Sequence, residues 1–212
     1  MALVTLKPPA LEPVDLIDMK QQLRQDDSSD DSFILTLITA ARTWCEQFCQ
    51  RRFVTQQVQL LFDYFPGYID YRLTGSRISS PFVSGSNAVL VGIRYAIVLP
   101  YSPVQSIDSF TFTGNDQTQI PMVNGVDYVA DLQSNPARLT PIFGEVWPVA
   151  LVEANAIQVT YTVGSDVAEV PAGVALAIKL LVSYWYHNRI PNNEDVPMGV
   201  RALLGPYRDL RL

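Results

Sequence analysis

Ionisable chemistry is scarce in this sequence. Its 212 residues hold one histidine and two cysteines, and only 17% are charged. A Ser–His–Asp or Cys–His device needs an imidazole between a nucleophile and an orienting acid. The single imidazole, His187, ends a helical pattern in "YWYHNR", where facing the terminal carbonyls is its ordinary use. One histidine and two same-face cysteines do not make a usual zinc set. Basic residues are also few. With 15 Lys and Arg against 21 Asp and Glu, the net charge is −6, and tight DNA binding through a basic face is disfavoured.

Other absences narrow the field further. No apolar run nears the ~18 residues of a membrane span, because Lys179 and the break after Arg189 bound the most apolar stretch. The opening "MALVTLKPPALEPVDL" lacks the basic start, apolar block and small-residue cleavage site of a signal peptide. No Walker loop and no G-x-G-x-x-G occurs. The acids in "FDYF", "SIDSF", "GVDYVADL" and "GEVWP" suggest no glycosidase pair. "DDSSDDS" (26–32) lacks the glycine and distal glutamate of a calcium loop. It is read instead as the acidic start of a helix, with Ser29 or Asp30 as cap. Cys45 and Cys49 fall on one helix face, a poor geometry for a bridge and a good one for small buried hydrophobes. Trp147, Tyr161, Tyr184, Trp185 and Tyr186 sit at strand or helix spacing and are read as core. No catalytic residue, metal or cofactor is expected.

What is present is globular. Hydrophobic residues make up 48% and there are 15 prolines; a chain of this length buries roughly 70% of its unfolded surface. Residues 14–25 form a short amphipathic pattern, with Leu16, Met19 and Leu23 apolar and Asp15 as N-cap. A stronger helix spans about 31–50, with Ile34, Leu37, Ile38, Ala41, Cys45 and Phe48 in one stripe. The period then changes. Segments 51–65, 88–100, 104–114, 127–133, 137–143 and 155–164 are short, β-branched and aromatic, and are broken by Pro, Gly and Asn. Helical period returns in "VPAGVALAIKLLVSYWYHNR" (170–189), where Val174, Ile178, Leu181 and Trp185 line one face. A last short helix lies in "VPMGVRALLGPYR" (196–208), with Pro197 near its start and Gly205-Pro206 at its end.

These periods predict an α+β protein: a small helical bundle of N- and C-terminal helices with an inserted, mainly antiparallel β domain of sandwich or barrel type. The expected boundaries are 1–52 plus 168–212 for the bundle and 53–167 for the β domain, with an extra hairpin or loop at about 66–92.

The ordered set "DDSSDDSFILTLITAARTWCEQFCQRRF" (26–53), "YFP" (64–66), "LPYSPVQSIDSFTF" (99–112), "DYVADLQSNPARLTP" (127–141), "GEVWP" (144–148), "NAIQVTYTVG" (155–164), "VPAGVALAIKLLVSYWYHNR" and "VPMGVRALLGPYR" resembles the head–tail connector (adaptor) family of tailed bacteriophages and phage-like gene transfer particles. The resemblance covers about 26–65 and 93–212, and departs from the family between Pro66 and about Gly92. It implies a non-enzymatic virion protein of the neck, assembled typically as twelve copies in a ring beneath the portal protein. Sister subunits, the portal protein and a stopper or tail-completion protein are the implied partners, with genomic DNA passing through the channel without sequence-specific binding. A stopper or tail-completion role is the nearest alternative, and a carbohydrate- or cell-surface-binding β module a more distant one.

The C-terminal "GVRALLGPYRDLRL" presents Val200, Leu203, Leu204 and Tyr207 as an apolar edge beside Arg201, Arg208 and Arg211. Arg and Tyr are enriched at interface hot spots, so these seven are the candidate portal or neighbour-subunit contacts. The alternative is that the segment folds back and caps its own bundle.

Overall fold

Apolar periods of 3.6 and 2 partition this chain into two compact units, which the computed structural model describes over residues 1–66, 96–189 and 196–209. One unit is made of Met1–Leu6, Gln57–Pro100 and Val104–Thr162; the other of Lys7–Gln56, Tyr101–Pro103 and Val163–Leu212. The first is built from strands and the second from helices. The loop or hairpin expected at 66–92 lies, beyond Pro66, outside the described residues.

In the β unit the strands are β1 (Ala2–Lys7), β2 (Gln56–Phe62), β3 (Ile97–Val98), β4 (Val104–Thr113), β5 (Gln119–Pro121), β6 (Tyr128–Asp131), β7 (Arg138–Pro141) and β8 (Ile157–Val163). They form a five-stranded sheet in the order β1-β2-β8-β4-β5 and a three-stranded sheet in the order β3-β7-β6. Pairing is antiparallel where β4 meets β5 (Phe112 opposite Ile120), where β3 meets β7 (Ile97 opposite Leu139) and where β6 meets β7 (Ala130 opposite Leu139). Among the described residues neither sheet closes on itself, and the architecture is mixed helix and antiparallel sheet.

Strand sequence explains strand position. The run "IQVTYTV" of β8 is buried at five of its seven residues, as suits a strand in the middle of its sheet. β2 alternates, with Gln56, Val58 and Leu60 inward. β1 has Leu3 half-buried and the rest exposed; it is an edge strand, where the sequence had suggested helical territory. β5 is likewise exposed and was not anticipated. An aromatic cluster holds the interior. Phe65 stacks on Trp147 with centroids 5.1 Å apart, and Phe110 meets both Trp147 (5.8 Å) and Tyr128 (5.1 Å) edge-on.

The helical unit contains α1 (Leu16–Leu23), α2 (Asp31–Cys49), α3 (Ala172–His187) and α4 (Met198–Leu204), with 3-10 turns at Val167–Glu169 and Gly205–Tyr207. Asp15 caps α1, its carboxylate accepting from the Asp18 amide at 2.6 Å. Asp30 occupies the N-cap position of α2, yet its side chain makes no cap bond; it accepts instead from Tyr186 Oη (2.5 Å) and Arg189 Nη2 (2.9 Å). Met19, Ile34, Ile38, Ala41, Cys45, Val174, Ala177, Ile178, Leu181 and Leu204 form the fully buried centre. Here Tyr186, and not Trp185, ends the buried stripe of α3. Tyr186 continues the i, i+4 line from Val174, Ile178 and Val182, and its hydroxyl finds Asp30 and Gln25 as partners.

Candidate interface at the C-terminal end

Seven residues long, α4 has one face to bury, and it buries that face in its own unit. Val200 is 1% and Leu204 0% exposed. Leu203 and Tyr207 are half-buried and pack against the same core. Gly173 of α3 leaves room for the Tyr207 ring: a Cβ there would lie 3.1 Å from Tyr207 Oη. Beyond the 3-10 turn, Arg208 lies over the Phe48 ring at 5.4 Å, and the Asp209 amide donates to the Cys49 carbonyl at 2.9 Å. The Asp209 carboxylate accepts from Ser102 Oγ and faces Arg51 Nε at 3.9 Å.

The seven predicted contact residues therefore divide. Val200 and Leu204 are buried in the core of their own unit. The physical reason is complementarity: α2 and α3 leave an apolar gap that i, i+4 side chains of a short helix fill. Arg201 and Arg208 remain exposed and Leu203 and Tyr207 half-exposed. Arg211 lies outside the described residues.

A second cluster was not anticipated. Glu46 is 1% exposed in the middle of the unit. Its carboxylate accepts from Arg42 Nη1 (3.0 Å), Arg52 Nη1 (3.2 Å), the Phe53 amide (3.1 Å) and Gln56 Nε2 (3.2 and 3.3 Å). Arg42 also donates through Nε to Glu12 at 2.7 Å, and Arg52 lies over the Tyr101 ring at 3.9 Å. The available signal was the i, i+4 pair Arg42 and Glu46 flanking an apolar stripe, with two arginines straight after the helix. The cluster fixes the end of α2 to Phe53–Gln56 and to Tyr101; it is a brace, with every carboxylate lone-pair direction occupied.

The chemistry considered from sequence finds its residues dispersed. His187 is exposed at the end of α3. Cys45 and Cys49 are buried; burial pushes the Cys45 thiol up to about 12 and the Cys49 thiol to about 11, so neither is a thiolate at neutral pH. Three of the four acids of 26–32 are engaged within the chain. Asp27 binds the Ser29 amide and hydroxyl, Asp30 binds Tyr186 and Arg189, and Asp31 pairs with Lys20 at 2.8 Å. Hydrogen bonds from Ser29 hold the Asp27 carboxyl below its ordinary value. Among the described residues no group of three or more His, Cys, Asp or Glu stands where a metal ion could be held. No helix among them is long and apolar enough to cross a membrane. Of the aromatics read as core, Trp147, Tyr161 and Tyr186 are buried, and Tyr184 and Trp185 are half-buried.

Residues 13–72 match the family of phage gp6-like head-tail connector proteins. Helices α1 and α2 and strand β2 lie within that match, which overlaps the first stretch, 26–65, over which the sequence resembles the connector family. Three solved structures share the fold. They are the neck of an empty GTA particle computed with C6 symmetry (TM-score 0.73), the virion of a native gene transfer agent particle (0.72) and the neck of a native GTA particle computed with C12 symmetry (0.65). Each is 16% identical, and each likeness covers 100% of this chain and 97% of the other. No curated protein matches the sequence.

Proposed function

We propose that this chain is a structural protein of the virion neck, a head–tail connector that joins the DNA-filled head to the tail and performs no catalysis. The observation that carries this is a coincidence of two likenesses. The first part of the chain matches a connector family, and the whole chain shares the fold of virion and neck structures over nearly their full length. On this reading twelve copies form a ring beneath the portal protein, a stopper or tail-completion protein follows, and the ring extends the DNA channel. The C12 symmetry of one neck neighbour supports the count.

The physics is compatible. A conduit that lets DNA pass should not grip it, since each lysine–phosphate contact adds affinity, and a net charge of −6 provides little grip. Docking on the portal falls to the exposed part of the C-terminal segment, Arg201 and Arg208 with the edges of Leu203 and Tyr207. Val200 and Leu204 hold that segment in place from below.

The test is removal of the gene. Cells should then accumulate DNA-filled heads lacking tails, and expression in trans should restore tailed particles. Tailed, infectious particles without this chain would overturn the proposal.

A further inference from the structure

Two tight turns at one end of the β unit carry apolar side chains at their tips. β6 and β7 run side by side as far as the pair Tyr128 and Pro141, and the Asp127 carbonyl then accepts from the Ile142 amide at 3.4 Å. Val126 and Phe143 come next, so they stand opposite one another where the two strands part. Phe143 is 100% and Val126 66% exposed, and Val123 and Val146, which flank them in sequence, are each more than half exposed. Turn tips ordinarily carry Gly, Pro, Asn, Asp or Ser. Single apolar side chains on a surface need no cause, whereas a group gathered on adjoining turns marks an interaction site.

Each turn is tied within itself. The Val126 and Asp127 amides donate to the Val123 carbonyl at 3.2 and 2.9 Å, and the Asp127 carboxylate accepts from the Val123 amide at 2.7 Å. In the other turn the Glu145 amide donates to the Ile142 carbonyl at 3.0 Å, and Gly144 makes the bend at φ +89°. Surfaces held in this way lose little conformational entropy when a partner covers them. The charge around the tips is of one sign. Among the described residues of the β unit, seven Asp and Glu stand against one base, Arg138, a side-chain balance of −6. That base is itself paired with Asp131 at 2.9 Å. Glu145, next to the Phe143 tip, is exposed.

We propose that the Val126–Phe143 tip is a docking knob for a protein surface with an apolar socket inside a rim of Lys and Arg, and that this partner is not the one met by Arg201 and Arg208. The inference rests on the neck reading above and adds to it a second docking surface of opposite chemistry. Charge selects the occupant. A unit balanced at −6 repels nucleic acid and anionic lipid, while it draws in a basic surface and orients it. A second copy fits poorly. Its β unit carries the same charge, and the described residues of its helical unit hold eleven acids against ten bases, a balance of −1. Phe143 supplies the anchor: aromatic side chains seated in a pocket are typical interface hot spots, and this one presents its whole side chain to solvent.

Two purified probes separate the surfaces on the full chain: portal rings, and the stopper or tail-completion protein of the same particle. Phe143→Asp should weaken binding of the tail-side protein at least tenfold and leave portal binding and the thermal midpoint unchanged. Phe143→Ser and Glu145→Lys are the second variants, expected to act in the same direction. Tail-side binding should also weaken as added salt shortens the Debye length from about 10 Å to about 3 Å. Tail-side binding that Phe143→Asp leaves intact would overturn the knob and keep the neck reading, and so would portal binding that it abolishes. Self-association of the unmodified chain, or its flotation with phosphatidylcholine vesicles, would overturn the basic protein partner if Phe143→Asp abolished it. A chain that binds neither probe would end both readings.

Discussion

Replacing Glu46 by glutamine tests the brace at the end of α2 most directly. The substitution preserves shape, so no cavity forms, but it removes the charge that two guanidiniums share and places an amide donor among donors. Losing one member of a buried ion pair costs about 3–5 kcal/mol. Arg42 keeps Glu12 at 2.7 Å, which places the expected loss near the lower end, about 3 kcal/mol. At roughly 2–4 °C per kcal/mol for a chain of this size, the midpoint of the helical transition should fall by about 6–12 °C. Thermal unfolding followed by far-UV circular dichroism measures it. Asp18→Asn is the control: it breaks a pair that is shorter, at 2.8 Å, but has 53% of the Asp18 side chain exposed, and should cost under about 1 kcal/mol. Should the two variants unfold within about 2 °C of each other, Glu46 is no brace and the reasoning fails.

Three further outcomes follow from the geometry. Gly164 has φ +96°, and a Cβ there would sit 2.3 Å from the Val54 carbonyl oxygen; Gly164→Ala should therefore cost more than about 3 kcal/mol, seen as a collapse of soluble yield. Cys45 and Cys49 should resist iodoacetamide at pH 8 in the native protein and react once it is unfolded. Their raised folded values also fix a sign. The neutral thiols add stability that is fully present below the ordinary thiol pKa of about 8.5 and is lost as pH rises towards about 11 for Cys49 and about 12 for Cys45, which an alkaline series of denaturant melts will read. Arg201→Glu with Arg208→Glu removes the Arg208 contact with the Phe48 ring, an exposed cation–π contact of about 0.5–1 kcal/mol, so it should lower the melt by only about 1–4 °C while weakening binding to purified portal rings at least tenfold; equal binding would remove these residues from the docking surface.

Much of the fold was legible in sequence because it follows from period. The α2 stripe from Ile34 to Cys45 and the β-branched run of β8 each admit one regular structure. Other features hid for definite reasons. Hydropathy counts every Arg and Glu as solvent-facing, so the inward turn of Arg42 and Glu46 was invisible without the arginines that follow. Tyr186 and Trp185 are adjacent and both aromatic, and only the hydroxyl partners Asp30 and Gln25 decide which one turns in. β1 carries no alternation, since nearly all of it is exposed. At the C-terminus, an apolar face on a seven-residue helix reads the same whether its cover is another molecule or its own bundle; the gap left by α2 and α3, a tertiary property, chose the bundle for Val200 and Leu204.

One consequence follows from how the chain is divided. It passes between its units after residues 6, 56, 100, 103 and 162, and one visit to the helical unit lasts only from Tyr101 to Pro103. Those three residues supply the ring beneath Arg52, the hydroxyl that Asp209 receives and the carbonyl that takes the Gly164 amide. A domain joined by two linkers can be cut out and exchanged between relatives. This one is laced, and swapping or trimming its strands unpicks the helices as well.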